Sequence, residues 1–167
     1  MTHEANPFAD DSDRHALWEM LVHRDIDAFL ARDWSMVAGD FLADRFMGIH
    51  AQFLTDPYAW RLEFPTLDAY RDEWLRQAAG TAATAYGEPL RAALFRATTL
   101  RDIDVQGDRA VLHKKLNGNV ARADGTSDRL LWKHNRAPRK IALILTAVQT
   151  LGQCEMEAGC HGADGFL

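Results

Sequence analysis

Between Leu94 and Leu151, four apolar and β-branched runs are separated by connections too short to carry a crossover, and that spacing limits how the rest of the chain can be arranged. Leu94 to Val105 ends at Gln106-Gly107-Asp108, and Arg109 to Leu116 reads as its hairpin partner. Asp124-Gly125 is a turn signal ahead of Arg129 to His134, and Ile141 to Leu151 follows the turn at Pro138. A parallel neighbour needs a connection of roughly a dozen residues or more, so strands joined this tightly are expected to form an antiparallel meander. In the last run both alternating phases are mainly apolar. Ile141, Leu143, Leu145 and Ala147 occupy one, and Ala142, Ile144, Thr146 and Val148 the other. That pattern predicts burial on both sides.

The chain ahead of the sheet reads as helical. Asp10-Asp11-Ser12-Asp13 offers N-caps and negative charge at a helix start. Trp18, Val22, Ile26 and Phe29 then recur at three- and four-residue spacing, widened by Leu17, Leu21 and Leu30, with Glu19, Arg24, Asp25 and Arg32 mostly on the opposite face. A short second helix is expected from Asp33 or Ser35 to Gly39, and a short strand from Arg45 to Ala51. Thr55 to Pro65 reads as an aromatic loop covering the core, with Tyr58, Trp60 and Phe64. Thr66 caps a third helix that places Leu67, Tyr70, Trp74 and Ala78 on one face and ends near Gly80, with Asp72 spaced to pair with Arg76. Thr81 to Pro89 is read as a linker into the sheet. Three helices can cover one face of that sheet, so the other is expected to meet a second copy of the chain. A homodimer through the sheet is therefore the partner expectation.

With 167 residues, 47 % hydrophobic and 26 % charged, the chain has the size and make-up of one globular domain. The divisions expected are a flexible N-terminus over 1–12, one domain over 13–152 and a flexible C-terminal tail over 153–167. No run approaches the roughly 18 apolar residues of a membrane span, and Cys154 and Cys160 stand together near the end rather than through the fold. Both observations predict a cytoplasmic protein with no membrane partner. The net charge of -5 is unevenly shared: Arg91 to Lys140 holds twelve Lys and Arg against five Asp and Glu, and the remainder is acidic. The basic residues are spread along strands and turns rather than gathered on one face with aromatics for stacking, so no nucleic-acid partner is expected. Cys154, Cys160 and His161 have wider spacing than structural zinc sites prefer, and no metal or cofactor is expected.

The order of helix pair, short strand, aromatic loop, helix and twisted meander carries a resemblance, as do three local features. These are Asp33-Trp34, Gly107-Asp108-Arg109-Ala110-Val111 and Arg139-Lys140-Ile141-Ala142-Leu143-Ile144. Over roughly Asp13 to Gly152 the chain resembles the nuclear transport factor 2-like superfamily, in its SnoaL-like branch. The resemblance implies an α+β cone, a curved antiparallel sheet wrapped around the N-terminal helices with an apolar pocket at its open end. Relatives of that kind include ketosteroid isomerases, scytalone dehydratase, limonene epoxide hydrolase and polyketide cyclases, alongside many without a known activity. No catalytic set of theirs aligns with these residues, and a fold alone supplies no function.

Candidate site residues therefore come from polar groups among apolar ones. His113 shares a strand phase with Val111 and Lys115, and carries protons near neutral pH if that phase faces the cone. The other phase, Ala110, Leu112 and Leu116, is more apolar, and if it is the interior His113 lies on the outer face. His50, Tyr70, Asp40 and Asp44 are further proton-transfer candidates. Trp18, His50, Tyr58, Trp60, Tyr70, His113 and Trp132 form the expected ligand-binding set. No Gly-x-Ser-x-Gly elbow, phosphate-cradling glycine loop or His-Glu-x-x-His helix is present. Two readings stand: a protein that binds a small, largely apolar molecule in a cone-shaped pocket, and a cofactor-independent lyase, isomerase or hydrolase working by acid-base chemistry.

Overall fold

The computed structural model describes residues 4–8, 11–50, 57–107, 109–116, 118–129, 145–147 and 153–157. Asp11 opens helix α1, Ser12–Trp18, its carboxylate accepting from the Arg14 amide at 3.0 Å. The helix continues through a π turn, Glu19–Arg24, into α2, Asp25–Ala31, where Arg32 stops it in the left-handed region at φ 59°. Two 3-10 turns follow, Trp34–Met36 and Ala38–Asp40, in place of the second helix expected, and the Asp33 carboxylate caps the first by accepting from Ser35 N at 2.9 Å. Strand β1, Gly48–His50, is shorter than the Arg45 to Ala51 run suggested. It pairs antiparallel with β2, Arg61–Phe64, a strand within the segment read as a covering loop.

Thr66 caps α3, Leu67–Ala82, as its spacing predicts, and Tyr70, Trp74 and Ala78 form its buried face. Arg76 bonds Glu73 rather than Asp72, which pairs with Arg71. Leu90–Ala97 forms helix α4 although Leu94 onward reads as strand. Pro89 at its N-cap and the Leu90, Ala93, Leu94, Ala97 spacing favour a helix, which ends where the β-branched pair Thr98-Thr99 begins. Strand β3, Thr98–Gln106, and β4, Arg109–Leu116, form the expected antiparallel hairpin, with a bulge between Arg101 and Asp104. Gly107 turns the chain at φ 63°.

Beyond the hairpin the arrangement departs from a meander. Among the described residues, strands β5, Asn119–Ala121, and β6, Ser127–Arg129, pair with each other and not with the larger sheet. Strands β7, Leu145–Ala147, and β8, Gln153–Glu157, complete a sheet ordered β3-β4-β8-β7, in which β8 runs parallel to β4. The rule that short connections force antiparallel pairing applies to consecutive strands, and β8 follows β4 only after a long excursion, so a fully antiparallel sheet was too narrow an expectation. Strand β8 lies in the stretch read as a flexible tail. The expected strand positions 130–134, 141–144 and 148–151 fall outside the described residues.

The resulting α+β molecule has one main core. Leu17, Trp18, Leu21, Val22 and Ile26 from the first helical run meet Leu100 and Ile103 of β3, Ala110 and Leu112 of β4, Phe95 of α4 and Trp74 of α3. Arg14 ties the first helix to β3 by donating to the Ile103 carbonyl at 3.3 Å. Glu4–Phe8, within the N-terminus read as flexible, is tied down as well. Asn6 Nδ2 donates to Glu19 and to the His15 carbonyl, and Arg91 Nη1 donates to Glu4. No described helix is long and apolar enough to cross a membrane.

Candidate functional site

The register of β4 selects what faces the core. Ala110 and Leu112 are almost wholly buried while Val111 is 43 % exposed, so the inner phase is Ala110, Leu112, Lys114 and Leu116. Lys114 is the charged member of that phase. Its side chain is 12 % exposed, and Nζ donates to Asp25 Oδ2 at 2.5 Å. Asp25 is the first residue of α2, directly after the π turn, and is 31 % exposed. Its second oxygen, Oδ1, accepts from Trp74 Nε1 at 3.3 Å. A helix, a strand and a second helix thus each supply one group to a single polar cluster.

A neighbouring pair extends it. Asp40, buried at the end of its 3-10 turn, accepts from Arg24 Nη2 at 2.5 Å and Nε at 3.2 Å. Burial raises the Asp40 carboxyl above the usual aspartate range. The Arg24 charge and hydrogen bonds oppose that rise, and the charge of Asp25 adds to it. Burial also drives the Tyr70 phenol well above its ordinary range, with the Asp25 charge second, so Tyr70 stays protonated throughout the physiological range.

Rings surround these groups. Trp74 meets Phe29 and Trp34 edge-on, each at 5.4 Å between centroids. Tyr70 meets Trp34 at 6.0 Å, Phe46 at 5.3 Å and Phe64 at 5.6 Å, and Trp34 stacks on Phe41 at 5.2 Å. The cluster thus joins a donor, Lys114, and an acceptor, Asp25, to rings that pack against one another in the core.

Of the candidates read from sequence, Tyr70 and Asp40 belong to this neighbourhood. His113 does not. It lies on the outer phase, with Nδ1 2.8 Å from Asp102 Oδ2, and Asp102 sits in the bulge at φ 52° and also forms an ion pair with Arg101, Nε to Oδ2 3.1 Å. The inner-phase alternative, Ala110, Leu112 and Leu116, is therefore the one realised. Trp18 is buried with His23 and Phe95 as its ring partners, a packing role. Tyr58 is 99 % exposed, Trp60 is half-buried, and Asp44 is exposed beside Arg45. The His50 backbone lies in β1 opposite Arg61, its side chain is outside the described residues, and so is Trp132.

Lys114 and Asp25 were missed, although each carried a signal. Lys114 shares its period with Ala110, Leu112 and Leu116, and Asp25 stands four residues after Leu21 and three after Val22, within the apolar stripe rather than opposite it. Among the described residues, no group of three or more His, Cys, Asp or Glu is placed to hold a metal ion. No protein-family model, curated protein or solved structure matches the chain.

Proposed function

We propose that the chain binds a small, largely apolar molecule at the aromatic end of its core, without a cofactor, in a cone-shaped fold of the nuclear transport factor 2-like kind, SnoaL-like branch. The observation carrying this reading is the Lys114–Asp25 pair among Trp74, Tyr70 and their ring neighbours. Well-packed apolar residues of similar volume often stabilise a fold as much as a buried ion pair does. A pair kept beside this many rings fits an orienting role toward a ligand better than a purely structural one. The test is titration with 2-ethylnaphthalene, followed by its emission. Saturable binding that weakens about tenfold or more in Trp74→Leu is expected, and a linear, unsaturable response in the wild type removes the reading.

A second reading, acid-base catalysis by a lyase, isomerase or hydrolase, is favoured by one observation. The Asp25 carboxylate is held by Lys114 and Trp74, remains 31 % exposed and lies near the protonated Tyr70 phenol. Loss of turnover in Asp25→Asn with ligand affinity retained would separate catalysis from binding alone.

The proposal extends to a cytoplasmic homodimer joined through the outer face of the sheet, where Val111 stands 43 % exposed. Light scattering at micromolar concentration tests it. A monomer in the wild type, or a dimer unchanged by Val111→Glu, removes that interface.

A further inference from the structure

We propose that β2 is a docking edge for a second copy of the chain, pairing antiparallel with the same strand of that copy across a two-fold axis at Leu62. This surface is separate from the Val111 face and from the aromatic end of the core.

The first ground is the edge itself. Among the described residues, β2 pairs with β1 in a two-stranded sheet and with no other strand. Arg61, Leu62 and Glu63 are all exposed, and Leu62 stands 56 % open. A two-stranded sheet is marginal in water, and a strand edge left open is a template for another chain. Main-chain pairing along such an edge is a recognised source of affinity.

The second ground is the order of side chains. Trp60, Arg61, Leu62, Glu63 and Phe64 run aromatic, cation, leucine, anion, aromatic. An antiparallel pair centred on Leu62 sets leucine against leucine, Arg61 against Glu63 twice and Trp60 against Phe64 twice. These are cross-strand combinations that stabilise sheets. A parallel copy in register, or an antiparallel one shifted by two residues, would set like charges opposite instead, so the charges that deter other pairings favour the two-fold one. A carboxylate accepts at two oxygens, and Glu63 can therefore take this cation beside a contact within its own chain.

The third ground is the setting. Leu62 lies opposite Ile49 of β1, and Phe64 packs on Tyr70 at 5.6 Å. Pairing would place the two Leu62 side chains side by side between the two Ile49 positions, in a four-stranded sheet that covers the exposed leucine. The 3-10 turn Pro57–Ala59 bounds the stretch on one side and Pro65 on the other. The self-complementary run thus fills the length open to pairing.

The first test is disulfide trapping in a Cys154→Ser/Cys160→Ser background, oxidised with copper phenanthroline and read by intact mass. The axis puts the two Cα atoms of residue 62 about 5 Å apart, within disulfide range, and those of residue 63 about 8 Å apart, outside it. Leu62→Cys is expected to cross-link about tenfold or more faster than Glu63→Cys or Tyr58→Cys, and Arg61→Cys mixed with Glu63→Cys to give the mixed dimer. The second test uses Arg61→Glu and Glu63→Arg, each in a Val111→Glu background so that contact through the main sheet does not contribute. Each variant alone opposes like charges, whereas their equimolar mixture restores opposite ones. Sedimentation at roughly 0.2 mM, suited to so short a contact, is expected to show the mixture associating on the order of tenfold more tightly than either component. A folding defect cannot imitate that gain, and the cross-link at 62, which leaves both charges in place, decides the question if a charge variant fails to fold. Equal rates at 58, 62 and 63, no cross-link at 62, or a mixture no tighter than its components overturns the pairing. Each of those results leaves the small-molecule and Val111 readings standing.

Discussion

Lys114 Nζ donates to Asp25 Oδ2 at 2.5 Å although the two residues stand 89 positions apart, so one contact fixes the start of α2 against the inner face of β4. Its energetics follow from what each partner loses. In Lys114→Met the stem is replaced by an apolar chain of similar reach, but Asp25 keeps its charge, with Trp74 as its remaining side-chain donor among the described residues. Asp25 is partly exposed, so the cost lies below that of a fully buried orphan charge, at about 1–3 kcal/mol. The double variant Asp25→Asn/Lys114→Met leaves no charge behind and is expected to recover more than half of that loss. Urea denaturation of the three proteins checks it, and equal destabilisation of single and double variants would mean that the pair is not the source.

Trp74 tests the other oxygen of the same carboxylate. Trp74→Phe removes Nε1–H, which donates to Asp25 Oδ1 at 3.3 Å, while keeping a ring against Phe29 and Trp34. The expected cost is about 1 kcal/mol for the hydrogen bond, plus the smaller ring's lost packing. In an Asp25→Asn background the hydrogen-bond part shrinks, because an amide acceptor is weaker than a carboxylate. A thermodynamic cycle over the two positions that returns no coupling would show the contact to be energetically idle.

How far the sequence anticipated this arrangement depends on the range of the interactions. The Trp18–Val22–Ile26 stripe, the Thr66 cap and the β3–β4 hairpin are local patterns, and each appears where its spacing put it. Tyr70 and Asp40 were legible as polar groups at apolar positions. Helix α4 was not, because Leu94 to Leu100 is apolar at both helical and strand periods and Pro89 was read as the end of a linker. The parallel β4–β8 pair depends on how a long connection returns, which no local pattern encodes. Lys114 and Asp25 each break a local apolar pattern, yet only the tertiary fold reveals that one compensates the other.

Gly118 makes a packing prediction independent of the site. A Cβ built there would stand 2.8 Å from the Cβ of Ala97, the last residue of α4. Ala97 is itself buried, so neither atom can swing aside as a flexible side chain would. Gly118→Ala is expected to cost about 1–3 kcal/mol through overpacking. Adding Ala97→Gly relieves the clash at a propensity cost of about 1 kcal/mol at most, so close to a helix end. Thermal unfolding checks both, and a Gly118→Ala protein as stable as wild type would rule out this close approach of α4 to Gly118.

Asp40 carries the pH prediction, and its sign follows from burial. The carboxyl is raised above its ordinary value chiefly by burial, with Arg24 opposing and Asp25 reinforcing. A folded-state value above the unfolded one means that the native protein binds this proton more tightly. The resulting stabilisation is fully present below the ordinary aspartate value and is lost as pH rises through the raised one. Asp40→Asn mimics the protonated carboxyl at every pH while keeping an oxygen for Arg24. Relative to wild type, the variant is therefore expected to be most favoured at neutral pH, with its advantage shrinking as pH falls toward the ordinary aspartate value. Arg24→Gln should enlarge the effect, because it removes the charge that now holds the rise in check. Urea titrations of all three proteins between neutral and acid pH measure it. A gap between wild type and Asp40→Asn that widens on acidification would show that Arg24, rather than burial, controls this carboxylate.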